Sequence, residues 1–197
     1  MLKNTSIFII NGKTTFAHAK GELNQSLVDT AIEVMQQANI ETKTTTIQNG
    51  YSKKEEVDKY LWADIIIYQS PIWWMGLPWL VKKYLDDVFT FGYSKLYKND
   101  GRTRDDKSKK YGSGGLMLNK KYMLSVTCNT PLEALEDKDQ FFEGVGIDTL
   151  LLNVHKANQF LGMQKIPTFM CNDVVKNPDV KANITNYIQH LKENIIL

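Results

Sequence analysis

The chain has 197 residues, of which 43% are hydrophobic, and its mixed charges leave a formal net charge of only +2. This composition suits one domain with a full core and argues against a nucleic-acid-binding protein, which needs a strongly basic surface. Two distant cysteines, Cys128 and Cys171, favour a reducing cytoplasm, and no apolar run approaches the roughly 20 residues of a membrane helix.

The hydrophobic pattern predicts strands and helices in alternation along the chain. In order, these are a strand at 6–11, a helix at 24–38, a strand at 41–48, a capped helix at 52–62 and a strand at 64–70. A helix then begins at Pro78, followed by a strand at 121–128, a helical region within 131–142, a helix near 149–160, a strand at 168–174 and a helix at 179–196.

This alternation predicts an α/β fold, because right-handed crossovers place successive strands parallel with helices on both faces. Five strands favour a flavodoxin-like three-layer sandwich with the strand order 2-1-3-4-5. We expect one domain over residues 1–197, with a polar insertion at about 92–118. Ligands of such sheets bind beyond the carboxyl ends of the strands, so the loops at 12–23, 71–77 and 127–132 are predicted to share one crevice.

The first of these loops carries the letters NGKTT, which resemble the end of a nucleotide-binding P-loop. The full motif needs a glycine five residues before Gly12, where Ile7 stands, and a GxGxxG motif is also missing. The following helix N-terminus still favours an anion, Gly21 permits close approach, and His18 and Lys20 add positive charge. The loop is therefore interpreted as a phosphate or pyrophosphate cradle, with an ordinary connection as the alternative.

The second loop places two adjacent tryptophans, Trp73 and Trp74, between Pro71 and the pair Met75–Gly76. Neighbouring residues of a turn point in different directions, so one ring could cover a planar ligand while the other fills the core. The alternative is that both rings are buried at the top of the sheet. A phosphate site beside a site for a flat aromatic ring describes a flavin nucleotide.

Longer stretches of the sequence resemble a known family. They are FAHAKGELN at 16–24, WWMGLPWLVKKYLDDVF at 73–89, LYKNDGRTR at 96–104, SKKYGSGGL at 108–116, KKYMLSVTCNTPLEA at 120–134, KDQFF at 138–142 and HKANQFLGM at 155–163. In these stretches the chain resembles bacterial NAD(P)H–quinone reductases of the modulator of drug activity B type, within the flavodoxin-like family that includes DT-diaphorase.

The resemblance implies bound FAD, NADPH as electron donor, quinones as acceptors, and a homodimer with flavin sites near the subunit boundary. It also implies a ping-pong hydride transfer that yields hydroquinones without semiquinones and so protects against oxidative stress. The expected cofactor residues are His18, Ala19, Lys20, Gly21, Glu22, Leu23, Asn24, Gln25, Ser26, Pro71, Ile72, Trp73, Trp74, Met75, Gly76, Tyr111, Thr127, Cys128, Asn129 and Thr130.

Tyr111 is the candidate catalytic residue, since its hydroxyl could relay a proton to the departing hydroquinone. The insertion around it is locally basic, and Arg102, Arg104 or Lys110 could attract the extra phosphate of NADPH. A tyrosine that only packs on its neighbours, within a solvated loop, is the alternative. We expect no metal site, because histidine, cysteine and carboxylate residues lack ligand spacing.

Two other functions are compatible with the sequence. One is an FMN electron carrier of the flavodoxin kind, although that class usually has a strongly acidic surface and a hydroxyl-rich phosphate loop. The other is a flavin-binding ancillary subunit of a potassium efflux system, which shares much of the same pattern. The sequence leaves the physiological quinone open.

Overall fold

A parallel sheet forms the middle layer of the molecule. A computed structural model describes residues 5–17 and 19–196 of the chain, so the predicted cofactor residue His18 lies outside the described residues. The strands are β1 (Ser6–Asn11), β2 (Glu41–Thr46), β3 (Ile65–Pro71), β4 (Lys121–Thr127), β5 (Gln164–Lys165) and β6 (Phe169–Cys171).

The sheet has the order β2-β1-β3-β4-β5, and every pairing between its strands is parallel. The predicted fold class and strand order are therefore confirmed. The strand order reverses between β1 and β3, and the predicted crevice should lie at this switch point.

The fifth position of the sheet is occupied by two short segments, whereas the sequence predicted one strand at 168–174. β5 pairs with the start of β4, at Lys121 and Tyr122, and β6 pairs with its end. Pro167 lies between the two segments. The N–H groups of Gln164 and Ile166 donate to carbonyls around the start of β4, so the pairing stops at the residue before Pro167 and resumes at Phe169.

Helices cover both faces of the sheet. They are α1 (Glu22–Gln37), α2 (Lys53–Trp62), α3 (Trp79–Phe91), α4 (Leu132–Glu136), α5 (Gly146–Leu150), α6 (Leu152–Phe160) and α7 (Val180–Leu191). The Ser52 side chain caps α2 by accepting from the Glu55 N–H, as the sequence predicted, and Pro78 stands one residue before α3. None of the helices within 5–17 and 19–196 combines the length and apolarity needed to traverse a lipid bilayer.

The hydrophobic core consists of two layers, one on each face of the sheet, because consecutive residues of the central strands point to opposite faces. Ile7 and Ile9 of β1 pack towards α1 and α7, while Phe8 and Ile10 pack towards α2 and α3. Each of these side chains is at most 1% exposed, and burying one contributes about 1.5–3 kcal/mol relative to leaving it in water. The two apolar layers hold the sheet rigid beneath its loops.

Two predicted helical regions are shorter than expected. The region at 131–142 contains only α4, because the chain leaves the helix at Asp137, whose carboxylate accepts the Asp139 N–H in a tight turn. The helix predicted near 149–160 is two helices, α5 and α6, which meet at Leu151. The last predicted helix changes to a π-helical turn over Lys192–Ile196.

The polar insertion at 92–118 lies against the end of α6. Tyr97 forms isolated bridges with Tyr93 and Gly115, and a Cβ added at Gly115 would lie only 2.3 Å from the backbone of Leu161. Since α6 ends shortly before β5 begins, this contact places part of the insertion at the edge where the strands start. The three predicted site loops lie at the opposite edge.

Candidate functional site

The three loops predicted from the sequence meet in one place. They surround a cavity of about 530 Å³ lined by Thr14, Ala19, Lys20, Gly21, Glu22, Leu23, Asn24, Pro71, Ile72, Trp73, Thr127, Cys128, Asn129, Val174 and Val175. The second and third loops are joined directly, because the Ile72 N–H donates to the Thr127 carbonyl at 2.8 Å. The chain therefore builds a crevice at the switch point between β1 and β3.

The first loop leads into the N-terminus of α1 without a side-chain cap. Gly21 occupies the cap position with a φ of 69°, a left-handed conformation that favours glycine, and a Cβ there would come within 2.8 Å of the Lys13 side chain. Helix N-termini leave backbone N–H groups without helical partners and carry partial positive charge. Because the cavity is lined by the first residues of α1, the donors fit an anionic group such as phosphate.

The second loop is a tight two-residue turn. Trp73 and Gly76 exchange backbone hydrogen bonds of 2.8 and 3.1 Å, and the two residues between them, Trp74 and Met75, have φ values of 46° and 64°. Two central residues with positive φ are typical of a type I′ turn, which usually requires asparagine or glycine. The turn therefore holds two large side chains in a strained backbone conformation.

The two adjacent tryptophans have different surroundings, and neither is a core residue. Trp74 is 92% exposed at the tip of the turn, whereas the half-buried Trp73 packs on Phe16 with 4.7 Å between ring centroids. A second cavity, of about 420 Å³, is lined by Phe16, Ala17, Ala19, Trp73, Trp74 and Val175. The interpretation in which both rings fill the core is therefore wrong.

The third loop borders a further cavity of about 280 Å³, on the other side of the second loop. It is lined by Ile72, Trp74, Met75, Cys128, Asn129, Thr130, Leu135, Phe142, Ile147 and Leu150. Burial raises the pKa of the Cys128 thiol, so this side chain is a neutral wall of the cavity at physiological pH. The apolar side chains of α4, α5 and the segment between them were not predicted as site residues.

A fourth loop, which follows β6, was also missed by the sequence analysis. The Asn129 Oδ1 accepts the backbone N–H groups of Val175 and Lys176, at 3.0 and 3.2 Å, and so ties this loop to the third one. The signal for it was available, because a fifth parallel strand must also end at the carboxyl edge of the sheet.

Most of the predicted cofactor residues line these three cavities. The exceptions among the described residues are Gln25, Ser26, Gly76 and Tyr111. Gln25 and Ser26 lie on α1, and their side chains form hydrogen bonds within the chain, to Asp29 and to the Glu22 carbonyl. Gly76 closes the type I′ turn.

Tyr111 is not brought to the crevice within one copy of the chain. It packs on Phe160 at the end of α6, with 5.6 Å between ring centroids, and the Arg102 guanidinium lies 5.5 Å from its ring. Tyr111 is 70% exposed, so its hydroxyl is accessible at the edge opposite the three loops. Arg102 is itself paired with the Asp100 carboxylate at 2.5 Å.

The histidine on α6 has a structural environment. His155 is buried, one ring nitrogen lies 2.9 Å from the Tyr122 hydroxyl, and the other lies 3.1 Å from the Asp148 carboxylate. Burial lowers the pKa of His155, so the ring is neutral at pH 7. Within the described chain, no group of three or more histidine, cysteine, aspartate or glutamate side chains could hold a metal ion.

Comparison with known proteins assigns the chain to a family. A family model described as flavodoxin-like fold matches residues 5–195. The chain is 46% identical over 188 residues to the NADPH:quinone oxidoreductase MdaB of Haemophilus influenzae, covering 95% of this chain and 98% of that protein. It is 48% identical over 187 residues to an uncharacterised protein of Schizosaccharomyces pombe, covering 95% of each.

Solved structures share the fold at lower sequence identity. The general stress protein 14 of Treponema denticola, in complex with FMN, has a TM-score of 0.67 at 18% identity, covering 96% of this chain and 98% of that one. An NAD(P)H:quinone oxidoreductase from Methanothermobacter marburgensis has a TM-score of 0.66 at 16% identity, covering 95% and 97%. At these identities the likeness concerns the fold alone.

Proposed function

The chain belongs to the flavodoxin-like fold family, and on that premise we propose that it is a flavin-dependent NADPH:quinone oxidoreductase. The observation that carries the proposal is the convergence of three loops around adjoining cavities at the carboxyl edge of the sheet. The relative from Haemophilus influenzae, which is named as an NADPH:quinone oxidoreductase and matches 95% of this chain, supports NADPH as donor and quinones as acceptors.

The proposed cofactor is FAD, because the cavities offer a region for each of its parts. The N-terminus of α1 suits the pyrophosphate, and the cavity between the second and third loops suits the isoalloxazine ring. The cavity of about 420 Å³ beside Phe16 and Trp73 provides aromatic faces for an adenine. FMN would leave this last region without a role, although the Treponema denticola protein was solved with FMN.

In the proposed mechanism the protein mainly positions the reactants. When bound at the N-terminus of α1 and between the second and third loops, a flavin would supply the hydride-transfer chemistry that links NADPH oxidation to quinone reduction. NADPH and the quinone would occupy the space beside it in turn. The turn that carries Trp74 and Met75 forms one wall of the ring region and restricts the orientation of a flat guest. Leu135, Phe142 and Ile147 form an apolar wall that excludes water from that region.

The proposal includes a homodimer and gives Tyr111 a role across the subunit boundary. Within one copy, Tyr111 contacts Phe160 at the end of α6, at the edge opposite the crevice. Its exposed hydroxyl could therefore reach a flavin only in the site of a second copy. There it would donate a proton to the reduced quinone, and the neighbouring Arg104 and Lys110 would attract the NADPH phosphate.

The proposed cellular role follows from the two-electron chemistry. A quinone that receives a hydride and a proton becomes a hydroquinone directly, without the one-electron product that would pass its electron to oxygen. A cytoplasmic location is part of the proposal and is supported by two cysteines, Cys128 and Cys171, that are buried and free.

The test begins with the flavin of the purified protein, which is released and identified by mass. Initial rates of menadione reduction are then measured at several fixed NADPH concentrations. Released FAD with rapid turnover and parallel double-reciprocal lines is the expected result. FMN without NADPH oxidation would identify an electron carrier instead, and FAD with negligible turnover would identify a regulatory subunit.

A matched pair of variants connects the activity to the crevice. Trp73→Ala removes the ring that faces Phe16 between two of the cavities, and we expect weaker FAD binding. Trp79→Ala removes a ring of the same kind that is 67% exposed on α3 and lines none of the cavities. Equal FAD affinity in the two variants would contradict the proposed location of the cofactor.

A further inference from the structure

A row of buried polar side chains crosses the sheet directly beneath the crevice. The Ser125 hydroxyl donates to the Gln69 Oε1 at 2.6 Å, the Gln69 Nε2 donates to the Asn24 Oδ1 at 3.0 Å, and the Asn24 Nδ2 donates to the Asn11 Oδ1 at 2.8 Å. These four side chains are 0–2% exposed. We refer to this row as the amide ladder.

The ladder occupies one register of the central strands. Asn11 is the last residue of β1 and pairs with Gln69 of β3, which in turn pairs with Ser125 of β4. The residues two positions earlier on the same face, Ile9 and Ile67, belong to the apolar core beneath α1 and α7. Polar groups in such a layer are costly unless each one is hydrogen-bonded, so an apolar row would be the simpler solution for stability alone.

Every hydrogen bond of the ladder runs from donor to acceptor in the same direction, from Ser125 towards Asn11. The Asn11 Nδ2 donates to Gln25 at 3.0 Å, and the Gln25 Nε2 donates to the Asp29 carboxylate at 2.8 Å. The Asn11 Oδ1 also accepts the backbone N–H of Lys13 at 2.9 Å. A backbone N–H can only donate, so the Lys13 N–H fixes the Asn11 Oδ1 as an acceptor. The Asn24 amide must then donate to Asn11 and accept from Gln69, which fixes the orientation of both.

The ladder joins the parts of the crevice that should hold a flavin. Asn24 lies in the first turn of α1, Asn11 holds the Lys13 N–H at the start of the first loop, and Ser125 precedes the third loop by two residues. Asn24 was predicted as a cofactor residue, but the hydrogen-bonding atoms of its side chain already contact Asn11 and Gln69. Its contribution to a ligand therefore runs through the backbone that it orients.

We propose that the amide ladder is a positioning device that aims the first loop and the N-terminus of α1 at the phosphate of the flavin. Gln69, Asn24 and Ser125 are positioning residues, since they act through the backbone donors of the first loop. The inference rests on the proposed flavin-dependent function. It adds the residues that would set the preference for a phosphate-bearing flavin over riboflavin, which lacks phosphate.

The substitution Gln69→Glu tests the direction of the ladder with almost no change in shape. In its protonated form the introduced carboxyl can accept from Ser125 and donate to Asn24, so the ladder stays intact. In its ionised form it cannot donate, and the Asn24 Oδ1 would then face another acceptor. If the Asn24 amide rotated, its Oδ1 would instead face the Asn11 Oδ1, which is held by the Lys13 N–H. A hydrogen bond would therefore be lost at the first loop or beside it.

The experiment measures the dissociation constants of FAD and riboflavin for the apoprotein at pH 6.5 and pH 9.5. A carboxyl buried at this position is expected to have a pKa well above its usual range, so it is neutral at the lower pH and ionised at the higher one. The preference for FAD is the dissociation constant of riboflavin divided by that of FAD, and each variant's preference is compared with that of the wild type at the same pH. At pH 6.5 we expect Gln69→Glu to have the wild-type preference. At pH 9.5 it should fall by about tenfold, which corresponds to the loss of roughly one buried hydrogen bond.

The titratable groups that face the ladder do not account for such a change. Asp29 at its accepting end is present in the wild type as well, so normalising to the wild type removes its effect. Burial raises the pKa of Tyr187, which lies beside Ser125, far above its ordinary value. Gln36→Glu is the matched control, because it makes the same substitution on the exposed end of α1. Its preference for FAD should remain that of the wild type at both pH values.

Ser125→Ala keeps the proposal testable even if Gln69→Glu folds poorly. It removes the first donor of the ladder without adding charge, and it should lower the FAD preference equally at both pH values. A loss of affinity that is the same for FAD and riboflavin in both variants, or no loss in either, would overturn the positioning role alone. Failure of the wild type to bind any flavin would refute the positioning role and the proposed function together.

Discussion

Replacing Trp74 by glycine should stabilise the unliganded protein, although it removes a large aromatic side chain. Trp74 stands at the first central position of the type I′ turn, with a φ of 46°. Glycine adopts this left-handed conformation without steric cost. Because Trp74 is 92% exposed, its removal takes almost no buried apolar surface from the folded state.

The size of the effect follows from the backbone. A residue other than glycine pays about 1–2 kcal/mol in the left-handed region. Glycine gives back about 0.5–1 kcal/mol, because its unfolded chain has more conformational freedom to lose. The expected net gain in the free energy of unfolding is therefore roughly 1 kcal/mol, or about 2–4 °C in melting temperature for a chain of this length.

The assay compares urea unfolding of the apoproteins of Trp74→Gly, Trp74→Ala and the wild type. Alanine removes the same ring but keeps the strain, so the glycine variant should be the more stable of the two by about 1 kcal/mol. Ser94→Gly is the control outside the crevice, since Ser94 is exposed with a φ of 67° and should gain similar stability without any change in FAD affinity. FAD affinity should fall in both Trp74 variants. A glycine variant no more stable than the alanine variant would refute the assignment of strain to this turn.

Three further predictions concern other parts of the molecule. Tyr111→Phe should lower the turnover of menadione reduction while bound FAD is unchanged, and unchanged turnover would remove its catalytic role. Burial lowers the pKa of His155, so as the pH falls the unfolded chain binds a proton at this residue before the folded protein does. The free energy of unfolding of the wild type should therefore decline below about pH 6.5. Urea unfolding measured from pH 8 to 5 should show a flatter profile for His155→Gln. Tyr84→Phe removes the hydroxyl that donates to the buried Glu56 carboxylate at 2.6 Å, and it should lower the free energy of unfolding by about 1–3 kcal/mol. In the double variant with Glu56→Gln, the loss of unfolding free energy should be smaller than the sum of the losses in the two single variants.

The arrangement of the sheet could be predicted from the sequence because it depends on local patterns. Continuous apolar runs marked the buried strands, and the alternation with helices left few possible topologies. The prediction was wrong in local details: the strand predicted at 168–174 omitted the paired segment Gln164–Lys165, and the turn at Asp137 ends α4 early. The position of the crevice followed from the topology alone.

The finer construction of the site could not be predicted, because it depends on contacts between residues far apart in the chain. Asn24 and Gln69 are 45 residues apart, and Gln69 and Ser125 are 56 residues apart, yet each pair is hydrogen-bonded in the core. Their pairing requires the strand register, which the hydrophobic pattern does not supply. Asn11 was predicted as the end of a strand and as part of an incomplete P-loop motif, but not as a buried side chain that is a link in the ladder.

The amide ladder and the strained turn lie at the two ends of the same crevice, and they suggest a division of labour. Beneath the first loop, each ladder amide has both partners, so a displacement of this loop is expected to break a buried hydrogen bond. At the second loop, the exposed Trp74 and half-exposed Met75 are held by only two backbone hydrogen bonds against an unfavourable conformation. In the proposed function, the rigid end would face the phosphate of the flavin, which stays bound from one cycle to the next. The strained end would face the region where nicotinamide and quinone replace one another, so we expect motion in each cycle to be confined to the turn.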